Sequence, residues 1–347
     1  MFKKRQKFKY KMPLKRRIIR VVCLIYIFCF ASFLFVFYGP FDSFKEFWIT
    51  SAMTTMNHKY LATYLYSDEY IQQVLENNSI IEVDEISNPD EIQFRKYTTT
   101  IYRNQYEKAI LQKDEDNDLY KVINISGKGY QGFLVAIYDP SRIHIATTQY
   151  LGVTGESILT VSEREGAIIA MNAGGFYDPD WNGNGAIPHG VVFSNGEIVS
   201  EFAQANVGGG FIGFTNEDKF VLGSMSKYEA KEMGMRDAVQ FGPFLIINGK
   251  RSFVKGNGGW GIAPRTAIGQ RKDGIVLFLV INGRLASSLG ADMIDLCDIM
   301  ENYGAYNAAN LDGGSSSELV INNKIINTPV AGGENGLRDM STFWIVQ

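Results

Sequence analysis

Only three cysteines stand in 347 residues, and two of them, Cys23 and Cys29, lie inside a long apolar run. Cys297 is then alone in the remainder, so no disulfide can form there. That excludes the stapled frameworks of many secreted animal domains and fits a bacterium with a single membrane. Positive charge is scarce outside the first twenty residues: ten of the 34 Lys and Arg residues sit within them, leaving 24 basic against 37 acidic residues beyond, a net of −13. So acidic a body is not a nucleic-acid binder. No repeat of fixed period is visible. The Gly-x-Ser-x-Gly elbow of serine hydrolases is missing too, because position 317, where the elbow needs glycine, is serine. Disorder is excluded by a hydrophobic content of 46%.

What is present begins with the apolar run, residues 21–38, behind a basic stretch, residues 1–20, that holds no acid. At ~1.5 Å per residue the run spans about 27 Å, enough for the hydrocarbon layer. Ala31-Ser32-Phe33 is a poor cleavage site, so the run reads as an uncleaved transmembrane signal anchor. By the positive-inside rule residues 1–20 form a cytoplasmic tail, and everything after Tyr38 lies outside the cell. Residues 39–120 read as a helical stalk and linker. Between 42 and 78, positions such as Phe44, Trp48, Met53, Met56, Tyr60, Tyr64 and Leu65 recur at three- and four-residue steps without proline, predicting one or two helices. The acidic, proline-bearing stretch 82–91 reads as a linker and 114–118 as a solvated loop.

From residue 121 to 347 short β-rich runs alternate with glycine. Strands are predicted at 132–138, 143–147, 167–171, 190–193, 220–222, 244–247, 275–280 and 318–321, with hairpin signals at 194–196, 247–249 and 321–323 and one helix at 291–303. The expected fold is α+β: a single glycine-rich, mixed-sheet catalytic domain after an N-terminal transmembrane helix and helical stalk.

Four glycine-rich clusters stand out, each read as a loop at a strand end: Asn-Ala-Gly-Gly-Phe at 172–176, Gln-Phe-Gly-Pro at 240–243, Ala-Pro-Arg-Thr-Ala-Ile-Gly at 263–269, and Asn-Leu-Asp-Gly-Gly-Ser-Ser-Ser at 310–317. Any one of them is equally a tight turn, but such loops can also aim N–H groups at an anion. In this order they resemble the motifs of the phosphodiester glycosidase family, whose members include the enzyme that uncovers mannose 6-phosphate. The resemblance covers about residues 121–347 and is strongest at 265–269 and 310–316. Residues 50–58, Thr-Ser-Ala-Met-Thr-Thr-Met-Asn-His, are similar to the stalk of membrane-anchored bacterial members. The resemblance implies cleavage of a glycosyl phosphodiester. It also implies that Asn172, Arg265, Thr266 and Asp312, with Gly313, Gly314, Ser315 and Ser316, correspond to active-site motifs; Gly174 and Gly175 lie in the first of these. Ser315 stands where the family often has a third glycine.

The chemistry can be argued from the residues themselves. Breaking a sugar–phosphate bond requires stabilising charge on the phosphate and a carboxylate near the anomeric carbon. The planar guanidinium of Arg265 suits the first task and Asp312 the second, with Gly313, Gly314 and Ser315 as N–H and hydroxyl donors. Asn172 suits a sugar hydroxyl. Phosphate leaves without strong protonation, although His189, after Pro188, is a candidate proton donor. No cofactor is expected. Residues 178–184 reproduce the first half of a calcium loop, but His189 stands where the bidentate glutamate belongs, so the divalent-cation signature fails and Trp181 is free to stack on a sugar. The expected partners are a glycan or glycosyl-phosphate substrate and the membrane. A non-catalytic polysaccharide-binding module is the rival reading; it would lack Arg265 or Asp312, and both are present.

Overall fold

The computed structural model describes residues 13–55, 58–95, 101–177, 183–202, 209–333 and 336–347. Its first helix, Leu14–Tyr38, starts about two turns before the apolar run. Lys15, Arg16, Arg17 and Arg20 are good helix formers, and Pro13 is tolerated just ahead of the first turn. None of its residues is buried, and among the described residues it is the one helix long and apolar enough to cross a membrane.

The predicted stalk resolves into Asp42–Met53, Tyr60–Thr63 and Asp68–Asn77, packed around Ile49, Ala52, Ala62, Ile71 and Val74. It does not stand clear of the sheets. Ser79–Ile81 pairs with Phe253–Lys255, and the Asn257 amide donates to Thr50 Oγ1 at 2.9 Å. The acidic stretch after it lies on the sheets as well: Glu82 Oε2 accepts from the Phe244 N–H at 3.1 Å, and Glu85 and Glu91 pair with Lys250 and Lys272. Composition suggests a linker there because it cannot show these distant partners.

A seven-stranded sheet runs in the order Lys250–Arg251, Phe244–Ile247, Ala305–Asn310, Arg265–Arg271, Val276–Ile281, Tyr130–Ile137, Tyr120–Gly127. A five-stranded sheet is built on Gly210–Thr215 and Met235–Phe241, and another on Ile169–Asn172 and Thr342–Val346. The class is α+β as expected, but the paired strands are antiparallel in every ladder of these sheets rather than mixed in direction. Neighbours such as Tyr120–Gly127 with Tyr130–Ile137 and Arg265–Arg271 with Val276–Ile281 join by short turns, the antiparallel connection, while others pair across long stretches of chain. Along Val276–Ile281, Val276, Phe278 and Val280 enter a core shared with Phe214, Phe220 and Trp344, while Leu277, Leu279 and Ile281 face the helix Met293–Asn302 through Leu296, Cys297 and Met300. With both faces covered the strand reads as an unbroken apolar run. That helix is shorter than the predicted 291–303, because Asp292 caps it reciprocally with Asp295.

Three strand ends converge on one place. Arg265–Arg271 and Ala305–Asn310 run antiparallel with Ala267 opposite Asn310, so the start of one lies beside the end of the other, and the end of Ile169–Asn172 meets them from the neighbouring sheet.

Candidate active site

Asn172 ties these ends together. Its Nδ2 donates to the Asp312 carbonyl at 2.6 Å, and its Oδ1 accepts from Thr266 Oγ1 at 2.8 Å and from the Glu318 N–H at 3.2 Å. Leu311 N–H donates to Thr266 O, Asp312 N–H to Ala173 O, and Gly314 N–H to Pro264 O at 2.8 Å. Asn172 and Thr266 are fully buried. The amide expected at a sugar hydroxyl is therefore engaged with protein groups, and both residues brace the loop that carries Asp312. The first glycine pair is packed too: a Cβ on Gly175 would lie 2.9 Å from the Phe241 ring and 3.0 Å from His189 Nδ1.

Beside this knot opens a cavity of about 1680 Å³, and Arg265, Asp312, Gly313, Gly314 and Ser315 line it, as do Arg284 and Arg338. Arg265 is buried. Its Nε donates to Ala291 O at 3.0 Å, and its Nη2 to Trp260 O at 2.5 Å and Gly261 O at 2.6 Å, with the Trp260 ring 5.9 Å from Cζ. Burial pulls its pKa down to about 10, so it stays charged at neutral pH. Arg284 donates to Ser315 Oγ at 3.1 Å, and Arg338 to Ser316 Oγ at 3.4 Å while its guanidinium stacks 4.5 Å from the Phe176 ring centre. Among the described residues none of the three arginines forms an ion pair with a carboxylate. Burial, and after it repulsion from Arg338, lowers the pKa of Arg284. A cluster of cations that repel one another is a place where an anion is stabilised.

Asp312 is half-buried within this cluster. Burial raises its pKa, opposed by a hydrogen bond from Ser316, by the charge of Arg338 and by the Gly313 N–H. The glycine loop offers less than its sequence promises, since the Gly314 N–H is occupied by Pro264 O and the Ser315 hydroxyl already meets Arg284. Charge for an anion therefore comes from the arginines.

His189 does not line this cavity. Its N–H donates to Gly175 O at 2.9 Å, and burial drives its pKa down to about 4, so it is uncharged near neutrality and poorly suited to donate a proton there. Residues 178–182, including Trp181 and most of the half-matched calcium loop, lie outside the described residues. Among the described residues no group of three His, Cys, Asp or Glu side chains is placed to hold a metal ion.

Sequence reasoning missed Arg284, Arg338 and Glu318. Glu318 is fully buried, its Oε1 accepting from the Arg338 N–H at 2.8 Å and its Oε2 without a partner. The one available signal was adjacency, for Glu318 directly follows the serine run.

Comparison with known proteins places this arrangement. The family model for phosphodiester glycosidases matches residues 165–347. An uncharacterized SPbeta prophage-derived protein of Bacillus subtilis, YomE, is 28% identical over 222 residues, which make up 59% of this chain and 32% of that protein, so the chain spans about a third of its relative's length. The catalytic domain of zebrafish N-acetylglucosamine-1-phosphodiester alpha-N-acetylglucosaminidase, auto-inhibited by its pro-peptide, is 17% identical with a TM-score of 0.54, over 68% of this chain and 85% of that one, a likeness of fold. The chain belongs to the phosphodiester glycosidase family.

Proposed function

We propose that this protein is a membrane-anchored, outward-facing hydrolase that cleaves sugar-1-phosphodiester linkages in envelope or exopolysaccharide glycans. Residues 1–20 would be the cytoplasmic tail, 21–38 the anchor, 39–120 the stalk and linker, folded onto the sheets rather than standing clear of them, and 121–347 the catalytic domain. The observation that carries the reading is the meeting of Asp312 with Arg265, Arg284 and Arg338 in one cavity. Membership of the family and the zebrafish enzyme's fold support it.

In this reading the arginines hold the phosphate, and the carboxylate of Asp312 meets the electron-poor anomeric carbon as nucleophile or as base toward water. The bond from that carbon to the phosphate oxygen breaks, its electron pair leaving with the phosphate. Water supplies the hydroxyl of the sugar and a proton. Phosphate held by guanidinium groups is a good leaving group, so no second acid is needed, which agrees with an uncharged His189. Asn172, Thr266 and Ser316 fix the loop; Gly313, Gly314 and Ser315 line the cavity, and Gly174 and Gly175 pack outside its lining.

The test is incubation of the full-length protein, reconstituted in lipid discs, with a panel of sugar-1-phosphodiesters, scoring release of reducing sugar. Cleavage of at least one, lost in Asp312→Asn, is expected; inertness toward the whole panel overturns the reading. Protease added to intact protoplasts checks orientation. Digestion of the sheet domain is expected, and full protection rules the proposed topology out.

A further inference from the structure

The cavity that holds the arginines has a second wall of opposite character. Phe47, Trp48 and Leu61 line it from the helices Asp42–Met53 and Tyr60–Thr63, together with Trp260 and Ile262 from the sheet domain. Phe47 and Ile262 remain 36% and 39% exposed. Large apolar side chains left open beside a cationic cluster mark a site for something apolar.

This wall is continuous with the apolar helix. The Phe37 ring, one residue from the helix end, stands 5.0 Å from Trp48 and 5.5 Å from Phe44, both edge-on. Tyr38 Oη donates to Leu65 O at 2.9 Å and Tyr66 Oη to Phe37 O at 3.0 Å, which ties the helix end to the segment that carries the wall. Trp48 Nε1 in turn donates to Leu61 O at 2.9 Å. If Leu14–Tyr38 spans the membrane, Trp48 sits one ring contact from the bilayer boundary. The cationic wall then opens toward lipid headgroups, and the apolar wall leads toward the acyl chains.

We propose that the substrate is a lipid-linked glycosyl phosphodiester: a sugar joined through phosphate to a long alkyl or prenyl chain, with the phosphate at Arg265, Arg284 and Arg338 and the first stretch of chain along Phe47, Trp48 and Ile262. The inference rests on the glycosidase reading of the same site and on the anchor. Hydrolysis adds water at the anomeric carbon and breaks its bond to the phosphate oxygen. The free sugar is released, and the alkyl or prenyl monophosphate, keeping the electron pair of the broken bond and one proton from water, stays in the membrane.

A matched series tests it: methyl, hexyl and decyl diesters of each sugar 1-phosphate in the panel, below their micelle-forming concentrations, against the full-length protein in lipid discs. Each buried methylene contributes ~0.8 kcal/mol, so burying only a few raises kcat/KM by about tenfold or more from methyl to decyl. Partition into the bilayer also favours the decyl compound, but equally for every variant. Phe47→Gln and Ile262→Gln, both at exposed positions, should therefore cut the decyl-to-methyl ratio by about threefold or more relative to the wild type. That ratio is taken within one preparation, so partial unfolding does not move it. A ratio near one in the wild type, or one unchanged in both variants, overturns the lipid-linked substrate while leaving the glycosidase reading in place. Cleavage of no member at any chain length overturns the glycosidase reading, and this inference with it.

Discussion

The two walls of the cavity are assembled in opposite ways. The cationic wall draws on positions 265, 284, 312 and 338, brought together by strand ends and by an asparagine whose hydrogen bond to the Asp312 carbonyl spans 140 residues. The apolar wall comes largely from one short stretch, residues 47–61, held by ring contacts and a few side-chain hydrogen bonds. The first is held in place by hydrogen bonds between side chains and backbone groups far apart in the chain; the second is a surface whose contribution is apolar area. Chemistry needs preorganised charge, and affinity for a chain of methylenes does not. Substitutions in the two walls should accordingly fail differently.

The largest effect is expected from Asp312→Asn. The amide keeps the shape and accepts from Ser316, so melting should stay close to wild type while turnover of any cleaved diester falls by about 10²-fold or more. Near-normal turnover removes Asp312 from the chemistry. Loss of activity only in step with loss of folded protein would make it scaffolding.

Next come the arginines. Arg265→Ala strips donors from the carbonyls of Ala291, Trp260 and Gly261, and each buried carbonyl left unpaired costs about 1–3 kcal/mol. It should lower both melting temperature and turnover. Arg284 keeps part of its surface open to solvent although its guanidinium is crowded enough to lose some hydration, and its bond is to Ser315 Oγ, so Arg284→Ala should cut turnover by roughly tenfold with little change in melting. Thermal melts run beside initial rates separate the two. Equal melting losses would show that Arg265 is not the brace its three carbonyl bonds suggest.

Gly261→Ala probes the seam between the walls. Gly261 has φ +59°, and a Cβ there would lie 2.3 Å from Ser51 Oγ on the helix Asp42–Met53. The substitution must push the loop whose carbonyls hold Arg265, and a rate loss of about tenfold is expected. Adding Ser51→Gly removes the contact with Oγ but leaves the new Cβ 3.0 Å from the Cα and N of residue 51, and the φ strain with it, so partial recovery is the predicted result. No recovery would mean that the helix does not bear on Arg265.

The same contrast explains what the sequence could show. Strands at Tyr130–Ile137, Ile143–Thr147 and Val276–Ile281 are visible as apolar runs because the core, and for the last of them the covering helix too, selects for them. Arg265–Arg271 and Ala305–Asn310 are absent from the predicted strands, since they carry Gln270, Arg271, Asn307 and Asn310 inside the fold. Those side chains find partners far along the chain: Gln270 Oε1 accepts from the Phe220 N–H at 2.7 Å, and Asn307 Oδ1 from the Asn248 N–H at 2.8 Å. Asp312 and Arg265 stand in motifs, so resemblance finds them. Arg284 and Arg338 sit in loops, and nothing local marks their approach to Ser315 and Ser316 from 31 and 22 residues away.

The smallest expected effect concerns the buried acid behind the cationic wall. Burial pushes the Glu318 carboxyl up to about 8, helped by the charge of Asp339 and opposed by Arg338. In the unfolded chain it titrates near the ordinary glutamate value of about 4.3. Between those two values the native state holds a proton that the unfolded state has released. Its stabilising contribution is therefore complete below the lower value and is lost as pH rises through the upper one. Once ionised, Glu318 carries a charge whose Oε2 has no donor, with one hydrogen bond at Oε1 from the backbone that positions Arg338. Glu318→Gln keeps the size, stays neutral and removes the titration. Melting of the wild type should fall more steeply between about pH 5 and 8.5 than that of the variant, by ~2–4 °C for each kcal/mol in a protein of this size. Parallel melting curves across that range would mean that Glu318 ionises no differently in the folded and unfolded chain, which a carboxyl shut away from water could not do, so the wall in front of it would have to open to solvent.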